Sequence, residues 1–387
     1  MENKQLKILI PFFGIMLFLV NGDTYATSPM LIQIANEFGL NITVAGLSFV
    51  TYMLPFGFFT LIFGPLSEKF GKVVIINIAA FSTAIFSIVG GFAPNFITLC
   101  LCRALNGAFA AAIMPVSMAL IGEKAGQDQT TLQSSLGKIM ALMFLGGAVA
   151  PAIGGLISFF GSWRIVYIIY GILEFIMSVL ILSKIRIPSQ GVALKGVYKE
   201  AFANRNLIGT VLIISLVGMA VLGTFTYMGK FIEQKTGYSI LIVGLILSCF
   251  GIGSMIGGRV SVKLRQKFQS KYFIFTSLIG VVSLLSFVFF PIIEVIPFAL
   301  LGFGLSFMLI QPMLIAKAQS LFSKHRGIVM SMCAFNMCVG GGVGTLINGA
   351  ILKNFSNYIY IFIIPAVLFG IIGLVLTILE KKVVHVK

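Results

Sequence analysis

The fold is decided by residues 73–92, VVIINIAAFSTAIFSIVGGF, a stretch of 20 residues without a charged side chain. A helix needs roughly 20 such residues to cross the hydrocarbon core of a bilayer. About twelve comparable stretches follow one another with short connections, and 58% of the residues are hydrophobic while 10% are charged. Strands of a membrane barrel would alternate in polarity over about ten residues, whereas these stretches are continuously apolar. The sequence therefore predicts an all-α protein that crosses a membrane many times.

Twelve transmembrane spans are predicted, because backbone polar groups in lipid must be satisfied within each segment. Their approximate limits are residues 8–28, 43–63, 73–92, 96–118, 135–160, 164–183, 207–229, 239–259, 272–292, 296–318, 328–352 and 358–380.

The net charge of +16 is distributed unevenly along the chain. If successive spans alternate in direction, 19 Lys and Arg residues fall on the side that carries both termini and 4 fall on the other side. Lys and Arg near span ends resist translocation, so the richer side and both termini are expected to be cytoplasmic. Orientation thus explains the charge, and no nucleic-acid partner is expected.

The residues that usually carry catalysis or bind metal ions show no functional spacing. All five cysteines lie in apolar segments and fit neither a disulfide framework nor a zinc site: Cys100, Cys102, Cys249, Cys333 and Cys338. The phosphate-binding pattern GxxxxGK[ST] is missing from the sequence, so ATP-driven transport is not indicated. No enzyme activity, metal or cofactor is expected.

An internal repeat relates the two halves of the chain. Residues 64–69 (GPLSEK) and 258–263 (GRVSVK) are 194 positions apart, and the same offset separates residues 146–155 (GGAVAPAIGG) from 340–349 (GGGVGTLING). Parallel repeats about an axis along the membrane normal are one architecture of transporters. The predicted domains are an N-terminal six-helix bundle, a cytoplasmic basic linker and a C-terminal six-helix bundle, at residues 1–183, 184–206 and 207–387.

Three motifs of the first half carry a family resemblance. They are residues 64–72 (GPLSEKFGK), residues 103–107 (RALNG) and residues 146–155 (GGAVAPAIGG). They resemble, in order, the loop motif G-x-L-a-D-R-x-G-R, the helix 4 motif R-x-x-q-G and the helix 5 antiporter motif G-x-x-x-G-P-x-x-G-G of the major facilitator superfamily, in its twelve-helix drug–proton antiporter branch. This chain departs from those patterns at Glu68, Lys69, Asn106 and Ala150. The helix 5 motif implies export rather than uptake.

The resemblance gives the loop motif a gating role, as a latch that closes the cytoplasmic side when the cavity opens outward. Its glycines allow a tight turn, and Glu68 can meet the positive N-terminus of a neighbouring helix or an Arg from it. An ordinary solvated turn is the alternative. The gating residues are Gly64, Glu68, Lys69, Gly71 and Lys72.

The small residues of span 5 share a face at spacings of three and four, so another helix can approach closely. Pro151 removes one backbone hydrogen bond and can bend the helix. A sealing contact between the halves is expected, with ordinary small-residue packing as the alternative. The antiporter-motif residues are Gly147, Pro151, Gly154 and Gly155.

Asp23 lies deep in span 1, where a charged group is costly and usually lines a pathway or pairs with another charge. At 1.5 Å per residue it is about 22 Å from the inner face, or about 8 Å from the outer face of the core. Arg103 of span 4 is about 10 Å below the same outer face. We therefore expect an Asp23–Arg103 couple, because in the family helices 1 and 4 both border the central cavity.

Such a couple could carry a proton. Burial favours the neutral form of a carboxyl group and a nearby guanidinium favours its charged form, so a conformational change could load and unload Asp23. A static pair that only fixes helix packing is the alternative. Glu174 lies about 15 Å into span 6, a helix that the resemblance places at the periphery. Its carboxyl group is expected to be protonated, paired internally or a second proton site.

A substrate cavity is expected between the halves, lined by helices 1, 2, 4, 5, 7, 8, 10 and 11. The candidate polar and aromatic residues of this cavity are Tyr25, Tyr52, Asn106, Tyr227, Gln311 and Asn336. Ordinary packing is the alternative role for each of them.

The sequence thus predicts a secondary active exporter that exchanges protons for amphipathic small molecules of the multidrug type by alternating access. A dedicated exporter of one metabolite (sugar, nucleoside or siderophore), a proton-coupled uptake symporter and a non-transporting receptor are the alternatives. The expected partners are a small-molecule substrate, protons and the lipid bilayer, with the proton gradient as energy source. A bacterial cytoplasmic membrane and a functional monomer are expected.

Overall fold

The computed structural model describes residues 2–125, 129–184, 197–322, 326–355 and 357–384. Those residues form fourteen α-helices, with a short 3-10 helix at Gln269–Lys271. The α-helices are α1 (Glu2–Glu37), α2 (Ile42–Ala45), α3 (Leu47–Phe70), α4 (Lys72–Gly91), α5 (Phe96–Ala125), α6 (Gln129–Phe160), α7 (Trp163–Lys184), α8 (Val197–Ala203), α9 (Arg205–Thr236), α10 (Ile240–Phe268), α11 (Tyr272–Phe289), α12 (Ile296–Leu321), α13 (Arg326–Phe355) and α14 (Tyr358–Val384).

Twelve helices are long and apolar enough to cross a membrane, counted over the described residues. The second span, Ile42–Phe70, joins the short α2 to α3, and each other span corresponds to one of the remaining helices except α8. The predicted twelve-helix fold is therefore confirmed. Most of the predicted linker, residues 185–196, lies outside the described ranges, and α8 occupies part of the rest.

The internal repeat is visible in how the helices pack. In the first bundle, α1 packs on α6, α3 on α5 and α4 on α7. The corresponding pairs of the second bundle are α9 with α13, α10 with α12 and α11 with α14. The two bundles meet where α6 packs on α10 and where α3 packs on α13. The repeat relates these two contacts, because α3 corresponds to α10 and α6 corresponds to α13. The architecture is therefore two copies of one six-helix arrangement.

The bundles touch towards the end opposite the chain termini, which we call the distal end. The hydroxyl of Ser28 donates a hydrogen bond of 2.8 Å to the carbonyl of Phe225, which joins α1 to α9. Nearer the middle, the rings of Phe58 and Phe335 are 5.4 Å apart between α3 and α13. These contacts hold the distal halves of the two bundles together.

Candidate functional site

A buried ion pair lies inside the first bundle, between α1 and α5. Nη1 of Arg103 is 2.5 Å from Oδ2 of Asp23, and the two residues are 2% and 1% exposed. The rings of Tyr52 and Tyr167 lie 4.3 and 5.0 Å from the guanidinium carbon. Aromatic faces stabilise a cation most where water is excluded. The structure thus brings together the two residues that the sequence paired, and it surrounds them with side chains from α3 and α7.

Asp23 lies near the middle of its helix. Because α1 continues to Glu37 rather than ending near residue 28, Asp23 is about 21 Å from the end of α1 at 1.5 Å per residue. Arg103, about 10 Å along α5 from Phe96, reaches Asp23 with its long side chain.

The two side chains of the ion pair form only some of the hydrogen bonds that they could form. Oδ1 of Asp23 and Nε of Arg103 have no hydrogen-bond partner among the described residues. Buried polar atoms without protein partners are uncommon and often mark functional sites or bound water. The arrangement leaves Asp23 an oxygen with which it can accept a further hydrogen bond.

Glu174 lies on the inner face of α7. It is 0% exposed, and neither carboxyl oxygen has a hydrogen-bond partner among the described residues. Asp23 and Arg103 both interact with it electrostatically. Exposed apolar side chains, including Ile172 and Phe175, occupy the outer face of the same helix. The helix is peripheral as expected, but this carboxyl group faces the ion pair instead of the lipid.

Two tyrosines of α7 belong to the same cluster, although no sequence motif marks them. Tyr167 packs against Arg103, and Tyr170 lies so close to Gly22 of α1 that a side chain there would collide with it. Tyr167, Tyr170 and Glu174 recur at spacings of three and four, which places them on one helix face. That periodicity is the signal that could have identified them.

The gating motif forms a charge cluster at the end that carries the termini. Nζ of Lys72 lies 2.8 Å from Oε1 of Glu68 and 2.5 Å from Oε1 of Glu123. These residues belong to α4, α3 and α5 of the first bundle. The partner of Glu68 is thus a lysine of its own motif, and this lysine is the first residue of α4. Glu123 is a further member that the motif did not reveal.

The two motif glycines differ in their roles. Gly71 alone separates α3 from α4 and has a φ of 99°, a left-handed conformation that favours glycine. Gly64 lies inside α3, so its prediction as a turn residue is wrong: the helix continues through the motif as far as Phe70. Lys69 lies over the Phe70 ring, 5.1 Å from its centroid.

The antiporter motif uses two faces of α6. Gly147 and Gly154 face α1 within the first bundle. The carbonyl of Pro151 and the backbone of Gly155 lie directly against Gly244 of α10, in the second bundle, with no room for a side chain. Small residues permit this close approach. The motif thus forms part of the contact between the bundles.

The six predicted cavity residues differ in their surroundings. Tyr52 and Asn106 are buried within the first bundle, where Asn106 donates a hydrogen bond of 3.2 Å to the carbonyl of Thr83. Their assignment to a cavity between the halves is wrong, because both side chains pack into the interior of their own bundle.

Tyr25 and Tyr227 lie where the bundles meet. The ring of Tyr25 is 5.5 Å from that of Phe225, and the hydroxyl of Tyr227 donates a hydrogen bond of 3.2 Å to the carbonyl of Thr345. Gln311 and Asn336, on α12 and α13, are half-buried. The structure does not gather all six residues into one site.

A cavity of about 160 Å³ lies in the distal contact between the bundles. Both halves contribute to its mainly apolar lining: Thr43, Val44, Gly46, Leu47, Val50, Tyr227, Thr345, Leu346, Gly349, Ala350 and Lys353.

Comparison with known proteins adds the family context. The family model described as Major Facilitator Superfamily matches residues 13–345. The uncharacterized MFS-type transporter YceJ of Bacillus subtilis is 24% identical over 360 residues, which cover 90% of this chain and 90% of that relative. A multi-drug resistance efflux pump PmrA homolog of Lactococcus lactis is 27% identical over 343 residues, covering 84% and 82% of the two chains.

Solved structures share the fold at low sequence identity. The nucleoside transporter NupG superimposes with a TM-score of 0.79 at 13% identity, covering 96% of this chain and 98% of that one. A bacterial homolog of the human lysosomal transporter Spinster, inward-facing and unoccupied, gives a TM-score of 0.77 at 15% identity and covers 98% and 97%.

Proposed function

This chain belongs to the major facilitator superfamily, whose members are multi-pass membrane transporters and not enzymes, and from that premise we propose that it exports amphipathic small molecules in exchange for protons. The observation that carries the proposal is the buried Asp23–Arg103 pair with Glu174 beside it. Intramembrane ionisable residues of this kind mark proton relays in transporters.

The position of the pair favours coupling over direct substrate contact. Asp23 and Arg103 are buried among helices of the first bundle, so protonation there acts on how those helices pack. Changing the charge of the cluster alters its electrostatic energy most where water is excluded. A substrate that binds between the bundles would then be linked to the proton through the movement of the bundles.

The state described here fits one step of alternating access. The bundles are in contact at the distal end, and the opposite end is the one expected to be cytoplasmic from its Lys and Arg residues. The protein is then closed towards the outside and faces inward. Opening outward requires α6 and α10 to separate at Gly155 and Gly244.

Export of amphipathic compounds is supported by three features. Relatives over most of the chain include a protein named as a multidrug efflux pump homolog, and the antiporter motif forms part of the contact that must open and close. The aromatic side chains where the bundles meet, among them Tyr25, Phe225 and Phe250, suit an apolar substrate. We place the protein, as a monomer, in a bacterial cytoplasmic membrane.

The test measures the pH inside proteoliposomes that contain the purified protein and a trapped pH-sensitive dye. Amphipathic cations such as ethidium, sugars and nucleosides are added outside in turn. An antiporter lets the compound in and protons out, so the lumen becomes alkaline. Acidification would indicate symport, a response to one metabolite class would indicate a dedicated exporter, and no pH change with any compound would contradict proton coupling.

A further inference from the structure

Two carboxyl groups and one guanidinium lie together in the interior of the first bundle. The guanidinium of Arg103 is in direct contact with Asp23. Glu174 is equally buried and interacts with both, yet its two oxygens have no hydrogen-bond partner among the described residues. The single positive charge is therefore already matched by Asp23.

The charges of the cluster do not balance if every group is ionised. Arginine stays protonated in proteins, so two carboxylates would leave one negative charge without a counter-ion. An isolated buried carboxylate is so costly that the group takes up a proton instead, and a second carboxylate close by favours that outcome further. One proton restores neutrality.

We propose that in this conformation Glu174 holds the proton that the transporter exchanges, while Asp23 remains ionised in its pair with Arg103. This inference rests on the proposed function for the claim that the proton is transported. It assigns the roles differently from a scheme in which Asp23 alone is protonated, and it makes α7 part of the coupling machinery.

Among the described side chains, no charge other than Asp23 and Arg103 acts on Glu174. Tyr52 of α3 and Tyr170 of α7 interact with it as neutral phenols. The sequence of α4 has Lys72 as its one ionisable residue, paired with Glu68 at the terminal end. The sequence of α6 has Lys138 alone, and that side chain is exposed.

Release of the proton is thereby tied to a change in structure. An ionised Glu174 would be stable only if water reached it, or if Arg103 turned from Asp23 towards it. Either event changes the contacts of α7 with α1 and α5. The inference thus links loss of the proton to the packing of these helices.

The first experiment is infrared spectroscopy of the purified protein in lipid at neutral pH. A protonated carboxyl group has a carbonyl stretch that is distinct from that of a carboxylate. The wild type is expected to show this band, Glu174→Gln to lose it, and Glu233→Gln to retain it, because Glu233 pairs with Lys230 near the surface. An unchanged band in Glu174→Gln, or no band in the wild type, would overturn the inference.

The second experiment compares proton coupling in the proteoliposomes. Glu174→Gln keeps the Asp23–Arg103 pair and an uncharged group in place of the protonated acid, so it is expected to fold with an unchanged unfolding midpoint. It should admit the test compound down its gradient without a change in lumen pH. Full coupling in Glu174→Gln with loss in Asp23→Asn would refute only this inference, whereas a wild type that moves no protons would refute the proposed function.

Discussion

At the scale of single residues, Arg103 depends on its shape as well as its charge. Its planar group contacts the rings of Tyr52 and Tyr167 and also binds Asp23. Lysine is a compact ammonium without a planar face. Arg103→Lys is therefore expected to lower the free energy of unfolding by about 2 kcal/mol, the size of a desolvated cation–π contact. Chemical unfolding in detergent micelles measures this change.

The matched control is Arg259→Lys, since Arg259 is exposed on α10. Substitutions at such surface positions usually change stability by no more than about 0.5 kcal/mol. Equal stability of Arg103→Lys and the wild type would show that the rings do not hold the guanidinium.

The sequence could predict the Asp23–Arg103 pair but not its surroundings. Charged residues are rare inside the spans, and Asp23 and Arg103 have similar estimated depths in the membrane. These two facts were enough to pair them. The direction in which Glu174 points depends on the rotation of α7 about its axis, and hydropathy alone does not fix that rotation. Tyr52 and Asn106 were misplaced for the same reason, because polar residues of a span can face their own bundle as well as a cavity.

At the scale of helices, Lys72 links the ends of α3, α4 and α5. Replacing it by methionine leaves Glu68 and Glu123 facing each other without a cation. Removing one partner of a fully buried pair costs about 3–5 kcal/mol. Because Glu123 is half-exposed, we expect a smaller loss of about 1 kcal/mol for Lys72→Met, measured by unfolding in micelles.

A lysine of the repeated motif in the second half supplies the control for this prediction. Lys263, which the repeat aligns with Lys69, is exposed on α10, and Lys263→Met should leave stability unchanged. A Lys72 variant as stable as this control would mean that the cluster contributes nothing to the packing of the three helices.

Helix number and type could be read from the sequence, but helix ends could not. The apolar window ends where polar residues begin, whereas α1, α3, α9 and α10 continue beyond the predicted spans. Backbone hydrogen bonding continues through polar residues, and in α1 and α3 the helix even continues past Pro29 and Pro65.

At the scale of the whole molecule, the crossing of α6 and α10 controls the distal contact. A methyl group on Gly244 would collide with the carbonyl of Pro151, whereas Gly258 on the same helix has open space. Gly244→Ala is expected to separate the bundles distally and favour the outward-open state, and Gly258→Ala should not.

Spin labels at Phe92 and Gln234 report this change, because both positions are exposed at the distal end, one in each bundle. The five native cysteines are replaced first. Pulsed electron resonance should show a longer distance in Gly244→Ala than in Gly258→Ala. Identical distance distributions would mean that this glycine contact does not set the conformation.

The overall architecture was accessible from the sequence because the repeat and the hydropathy pattern agree. Which faces of the two bundles meet was only partly accessible. The helix 5 motif indicated one contact, but its partner Gly244 lies in the second half, where no motif marked it.

The central claim is that protonation of the buried cluster in the first bundle drives transport, and Asp23→Asn tests it most directly. With Asp23 neutral, Glu174 can ionise and pair with Arg103, so the cluster no longer binds a proton. Proteoliposomes with Asp23→Asn should exchange the test compound across the membrane at equal pH but should not concentrate it in response to a pH gradient. Undiminished accumulation driven by the pH gradient would contradict the account.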